Sequence, residues 1–338
     1  IKVVLQQLTA LSQTFSRNLR DNKARLTFSR AEQKGLSATY LAAQKKDTKG
    51  NISLGFSYPE YLPFMSSAED ENARRRYYKA FQSRGGEANL QLLDQITALR
   101  KELADINGYP SYAAFITRKN MVGKPEVVLD FLAGVRSVVQ EIELKDLAQL
   151  AQVKAIHTKT PLANTVMRAW DKDFYSEKLR QQQFQIDQEA LRAYFPTEPT
   201  KQWALELSSR LYGIKFTVKP VPTWHKSVEY YEVTDAKTGA FIGGLYLDLF
   251  PREGKYGHAA AFAVRGVSTR TGRTPYTVLV CNFNDKGLTH DEAETFLHEL
   301  GHALHGILSR ATYNVQAGTS VETDFVEAPS QMFEEWAR

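Results

Sequence analysis

Cysteine is almost absent from this chain: Cys281 is the only one among 338 residues. One thiol closes no internal disulfide, which excludes the cross-linked frameworks of small secreted domains and points to a reducing, cytoplasmic setting. Cys281 itself reads as a core residue of a strand. Long apolar runs are lacking too. No stretch approaches the ~18 uninterrupted apolar residues of a membrane span, so no membrane partner is expected. Nor is there a strong excess of one charge, since 43 basic residues face 38 acidic ones for a net +5. The densest basic run, Arg74-Arg75-Arg76, reads as a solvated helix face. With no binding motif beside it, nucleic acid is not an expected partner.

What remains is globular material, 43% hydrophobic and 24% charged, long enough for a large core. The chain opens within a helical pattern, with Val4, Leu8, Leu11, Phe15 and Leu19 on one face, and closes in SQMFEEWAR, still helical. Both ends are therefore expected to be interruptions of a longer protein. Residues 1–213 read as a mainly helical region. Ser67 is placed to cap a helix running through the arginines to Gly85-Gly86, and residues 88–107 form an amphipathic pattern closed by Gly108. Pro125 sits at the favoured first position of a long helix carrying Val128, Leu132, Val135, Val139 and Ile142. Further helices are expected from Phe174 to Tyr194 and from Trp203 to Tyr212, the last ended by Gly213.

The texture changes over residues 214–287. KFTVKPV, VEYYEVTD, AFIGGLYLDLF, HAAAFAV and YTVLVCNF are rich in β-branched and aromatic residues, and turn signals separate them. A small sheet of about four or five strands is expected. Residues 288–338 return to helix. Thr289-His290-Asp291-Glu292 has capping-box spacing, so a helix should run from there to about Ser309.

That helix carries HELGH, residues 298–302. His298 and His302 would project from one face one turn apart, as two ligands of a tetrahedral Zn2+ must. Glu299 would stand beside them, able to reach a metal-bound water, take its proton and later protonate the leaving amine. Gly301 costs about 1 kcal/mol in mid-helix relative to Ala, so a close backbone neighbour is expected there. His305 continues the ligand face by three residues and reads as packing. The third ligand is open between two carboxylates. A metzincin would need Gly and His where His305 and Leu308 stand, which excludes that class. Glu322 lies in the polar stretch GTSVETD, whereas Glu327 lies in FVEAP among apolar neighbours. A carboxylate buried there is expensive unless it meets a cation, which favours Glu327. Glu294 and Asp324, each one turn before a candidate ligand, could hold imidazoles from behind.

The segments YLDLFPREGKYGHAAAF, FLHELGHALHGILS and AGTSVETDFVEAPSQMFEEW resemble the thimet oligopeptidase/neurolysin family of zinc metallopeptidases. The likeness is collinear and extends back through RAWDKDFY and SYPEYLPF. It implies one zinc per chain held by His298, His302 and Glu327, with Glu299 as catalytic base, and sets aside Glu322, the ligand of a thermolysin-like alternative. It also implies a mainly α fold with a small β-sheet next to the zinc helices, in a neurolysin-like two-lobed channel architecture. Short peptides would be the substrates. GKYGHAAAF becomes a candidate docking strand, with Gly257, His258 and Ala259 against the peptide backbone. Family members carry, beyond the position of Arg338, residues that bind substrate and stabilise the tetrahedral intermediate. A companion chain supplying that segment is thus an expected partner, and a catalytically incomplete zinc-stabilised peptide-binding fragment is the alternative.

Overall fold

The computed structural model describes residues 1–184 and 191–337. It divides into two compact units, Ile1–Ile186 and Asp187–Arg338, so the sequence-based region boundary at residue 213 falls inside the second.

The first unit is helical: α1 (Lys2–Arg20), α2 (Ala38–Ala42), α3 (Tyr58–Ser67), α4 (Glu71–Gln82), α5 (Gly86–Ile106), α6 (Tyr112–Thr117), α7 (Pro125–Thr158) and α8 (Lys172–Phe184). Pro125 does open α7, and Gly108, at φ 76°, follows the end of α5. The helix expected through Tyr194 runs in part outside the described residues. Two short antiparallel strands, β1 (Leu26–Phe28) and β2 (Ile52–Leu54), were not foreseen. Three residues are too few to show a period of two. They close over an aromatic core in which Phe28, Phe64 and Tyr77 are fully buried, and the Tyr77 hydroxyl donates to the Gly55 carbonyl at 2.6 Å.

Two expectations in this unit are corrected. The cap of α4 is Asp70, whose carboxylate accepts from the Ala73 amide at 2.7 Å, while Ser67 belongs to α3. The shorter helix wins because an Asp cap offers a charged acceptor to the free amides and the helix N-terminus. The arginine run is not one solvated face either. Arg75 and Arg76 are exposed, but Arg74 is fully buried. Its guanidinium lies 4.0 Å over the Phe174 ring and pairs at 3.0 Å with Asp171, which also holds Lys154 at 2.6 Å. Burying such charges is tolerable only because each is paired and hydrogen-bonded.

The second unit opens with α9 (Thr197–Tyr212), ended by Gly213 in the left-handed conformation, φ 64°. Five strands follow: β3 (Ile214–Val218), β4 (Glu229–Asp235), β5 (Phe241–Asp248), β6 (Ala260–Arg265) and β7 (Tyr276–Val280). Their order is β3-β4-β5-β7-β6, antiparallel except for the parallel β5–β7 pair. The edge strand β6 is therefore not interior. The helix α10 (His290–Leu308) packs across β5, β6 and β7, and α11 (Ala328–Glu334) packs on α10. Leu245, Leu279, Cys281, Leu300, Ile307 and Phe333 are fully or almost fully buried in one apolar core that joins sheet and helices. The molecule is thus mainly α with a small mixed sheet beside the histidine helix. No helix among the described residues is long and apolar enough to cross a membrane.

Candidate metal centre and active site

The histidine helix starts where its cap requires. The Thr289 hydroxyl accepts from the Glu292 amide at 3.1 Å, and the Glu292 carboxylate accepts from the Thr289 amide at 2.8 Å. This reciprocal pair satisfies two amides that a helix start leaves open. Two turns later His298 and His302 share a face, with ring centroids 4.8 Å apart and ring planes at 85°. Opposite them stands Glu327, whose Oε2 lies 3.2 Å from His298 Nε2 and 2.9 Å from His302 Nε2. The three potential ligand atoms lie within 4.8 Å of one another, and Glu322 is not part of the group.

The reason Glu327 arrives there differs from the one expected. Its side chain is 50% exposed rather than buried among apolar neighbours. It is brought in by the turn before it, in which the Phe325 and Val326 amides donate to the Glu322 carbonyl, and by the docking of α11. That docking depends on Gly301. A Cβ there would stand 2.8 Å from Ser330 Cα and 3.2 Å from Phe333 Cβ, closer than side-chain carbons pack. The close backbone neighbour expected from the mid-helix glycine is α11. Ser330, fully buried, donates its hydroxyl to Glu327 Oε2 at 2.9 Å and so orients the carboxylate.

Glu299 points to the sheet side of the helix and is only 8% exposed. Burial pushes its carboxyl above the ordinary range and the Glu327 charge adds to this, while His298 and the backbone amide of Ala261 oppose it. Burial lowers His302, which favours the neutral imidazole that a metal requires. For Glu327 burial works against ionisation, but the Ser330 hydroxyl and the two imidazoles outweigh it and hold the carboxyl low. Two imidazoles and a carboxylate that converge on one point form a donor set suited to zinc.

A carboxylate that was not foreseen completes the surroundings. Glu334 Oε1 lies 2.5 Å from His298 Nδ1. Its signal in the sequence is the seven-residue spacing from Glu327, two helical turns, in EAPSQMFE. Asp324 is exposed and Glu294 half-buried, and neither belongs to the His–His–Glu group. His302 Nδ1 and His305 Nδ1 are buried without a hydrogen-bond partner among the described residues.

The loop from β5 to β6 is anchored from within. Asp248 accepts both Arg252 Nη atoms, at 2.7 and 2.8 Å, and the Trp224 indole at 2.9 Å. Lys255 donates to the carbonyls of Asp248, Phe250 and Cys281 at 2.5–2.8 Å. The loop then delivers Tyr256 and His258, whose carbonyls both accept from Asn282 Nδ2 at 3.0 and 3.2 Å. Gly257 and His258 are exposed and Ala259 is half-buried, and nothing lies within 4 Å of where a Gly257 Cβ would be.

A helix bearing two histidines and an adjacent buried glutamate, with a second carboxylate from the start of a following helix, defines the metallopeptidase class of site. The family can be stated more closely. Residues 64–338 match the model of peptidase family M3, and the chain belongs to that family. It is similar to saccharolysin of Saccharomyces cerevisiae, 34% identical over 99% of this chain and 51% of that protein. It is also similar to the thimet-like oligopeptidase of Dictyostelium discoideum, 30% identical over 99% of the chain and 53% of the relative. Oligopeptidase A of Escherichia coli is 32% identical over 98% and 52%. The chain therefore spans about half the length of these relatives.

Proposed function

We propose that this chain carries the zinc centre of an endopeptidase that hydrolyses short peptides. The observation that carries the reading is the convergence of His298, His302 and Glu327 beside the buried carboxyl of Glu299. A zinc ion held by those three residues would supply a Lewis acid for the scissile carbonyl and lower the pKa of a water. Glu299, its carboxyl raised by burial, takes the proton of the attacking water and returns it to the leaving nitrogen. The outer edge of β6, entered through Gly257, His258 and Ala259, holds the peptide as an added strand through main-chain hydrogen bonds. Glu294 and Asp324 tune the centre from behind the ligands. The further donors that the developing oxyanion needs come from a companion segment, whether covalent or a second chain. Cytoplasmic action is consistent with the single buried thiol.

One substitution series tests this. Alanine at His298, His302 or Glu327 should abolish stoichiometric zinc in elemental analysis, and Glu322→Ala should not. Glu299→Gln should keep zinc and peptide affinity but lose most turnover in the longer protein carrying these residues, since the amide accepts no proton. Gly257→Val should weaken peptide binding and leave zinc unchanged. Full zinc in Glu327→Ala with loss in Glu322→Ala, or a Glu299→Gln protein within a few-fold of wild-type turnover, overturns the assignment.

A further inference from the structure

We infer that Glu334 is a positioning residue that sets the tautomer of His298, so that α11 grips this imidazole at both nitrogens. The inference rests on the zinc reading above. Glu327 and Glu334 lie seven residues apart at the two ends of α11, so one short helix presents both carboxylates to α10. Glu327 Oε2 faces His298 Nε2 at 3.2 Å, and Glu334 Oε1 faces His298 Nδ1 at 2.5 Å. A carboxylate at that distance is an acceptor, so Nδ1 carries the proton and donates it to Glu334. Whenever the ring is neutral, its lone pair is then on Nε2, the nitrogen aimed at Glu327. The contact is sheltered, with side-chain exposures of 24% for His298 and 19% for Glu334. The close approach of α11 to α10 at Gly301 and Ser330 brings the two side chains together. His302 differs, since its buried Nδ1 has no hydrogen-bond partner among the described residues. Glu334 therefore acts on one imidazole of the two, which provides an internal control.

The test uses the 338-residue chain with selectively labelled histidine nitrogens, first metal-free and then titrated with zinc against a competing chelator. In the wild type His298 should hold its proton on Nδ1. Glu334→Ala should release this preference at His298, leave the His302 signals in place and weaken zinc binding about 10–100-fold. Glu334→Gln, whose amide oxygen still accepts from Nδ1–H, should keep the tautomer and lie between the two in affinity. Circular dichroism of the three metal-free proteins checks that all are folded. A folded Glu334→Ala protein with wild-type tautomer and zinc affinity within twofold overturns the role of Glu334 and leaves the zinc reading intact. If the wild type takes up no stoichiometric zinc, the zinc reading itself fails. Loss of structure in Glu334→Ala passes the decision to Glu334→Gln, where a proton moved to Nε2 overturns the inference.

Discussion

A single methyl group at residue 301 would decide the site. Alanine is the better helix former by about 1 kcal/mol, so Gly301→Ala ought to stabilise an isolated α10. In the folded chain the new Cβ would meet backbone, Ser330 Cα at 2.8 Å, which cannot swing aside as a side-chain tip can. Overpacking of this kind costs about 1–3 kcal/mol. Because Glu327 and Glu334 both ride on α11, the displacement reaches His298 and His302 as well. Gly301→Ala should therefore lower the melting temperature by several degrees and weaken zinc binding together. A higher melting temperature with unchanged zinc affinity would show that the helices do not meet there. The shared face of His298 and His302 was legible because helical spacing alone sets it. The contact of Glu334 with His298 was not, since it depends on where α11 lands on α10. Arg74 misled for a related reason: its partner Asp171 lies 97 residues away, and a local pattern cannot show a buried pair.

Among the elements, the strand that offers its edge is only as well placed as the loop that leads to it. Asp248, 2% exposed at the end of β5, anchors that loop. Burial alone would raise its carboxyl, but hydrogen bonds from Arg252, Trp224 and Lys255 outweigh it and bring the pKa down to about 2. A pKa lowered in the folded state contributes stability above the unfolded value of about 3.9, and that stability is lost as pH falls through the folded value. The contribution is about 2 kcal/mol at neutral pH, undiminished down to about pH 5 and fading between there and pH 2. Asp248→Asn should accordingly unfold at lower urea than wild type at pH 6, with the gap closing towards pH 2. A gap that is the same at both pH values would remove the ionised carboxylate from the account. Patterned elements such as α10 and β3–β7 could be read from their residues, as could the caps at Thr289 and Gly213. The order that puts β6 outside β7 could not, because strand alternation reports faces and not neighbours.

For the molecule as a whole, the apolar cores follow the division into units. Phe28, Phe64 and Tyr77 belong to a core within residues 1–186, whereas Leu245, Leu300 and Phe333 belong to one within 187–338. The second unit also contains every member of the candidate centre: His298, Glu299, His302, Glu327 and Glu334. A unit with its own core has what independent folding requires. Residues 187–338 produced alone should therefore fold, take up one zinc and bind it within a few-fold of the 338-residue chain. Zinc at about 100 times its dissociation constant should stabilise that unit by about 2.7 kcal/mol, visible as a higher melting temperature. Residues 1–186 alone should show no zinc-dependent shift, because all three proposed ligands lie in the other unit. Calorimetry of both pieces with and without zinc is the measurement. A 187–338 piece that folds but takes up no zinc would place an essential part of the centre outside it.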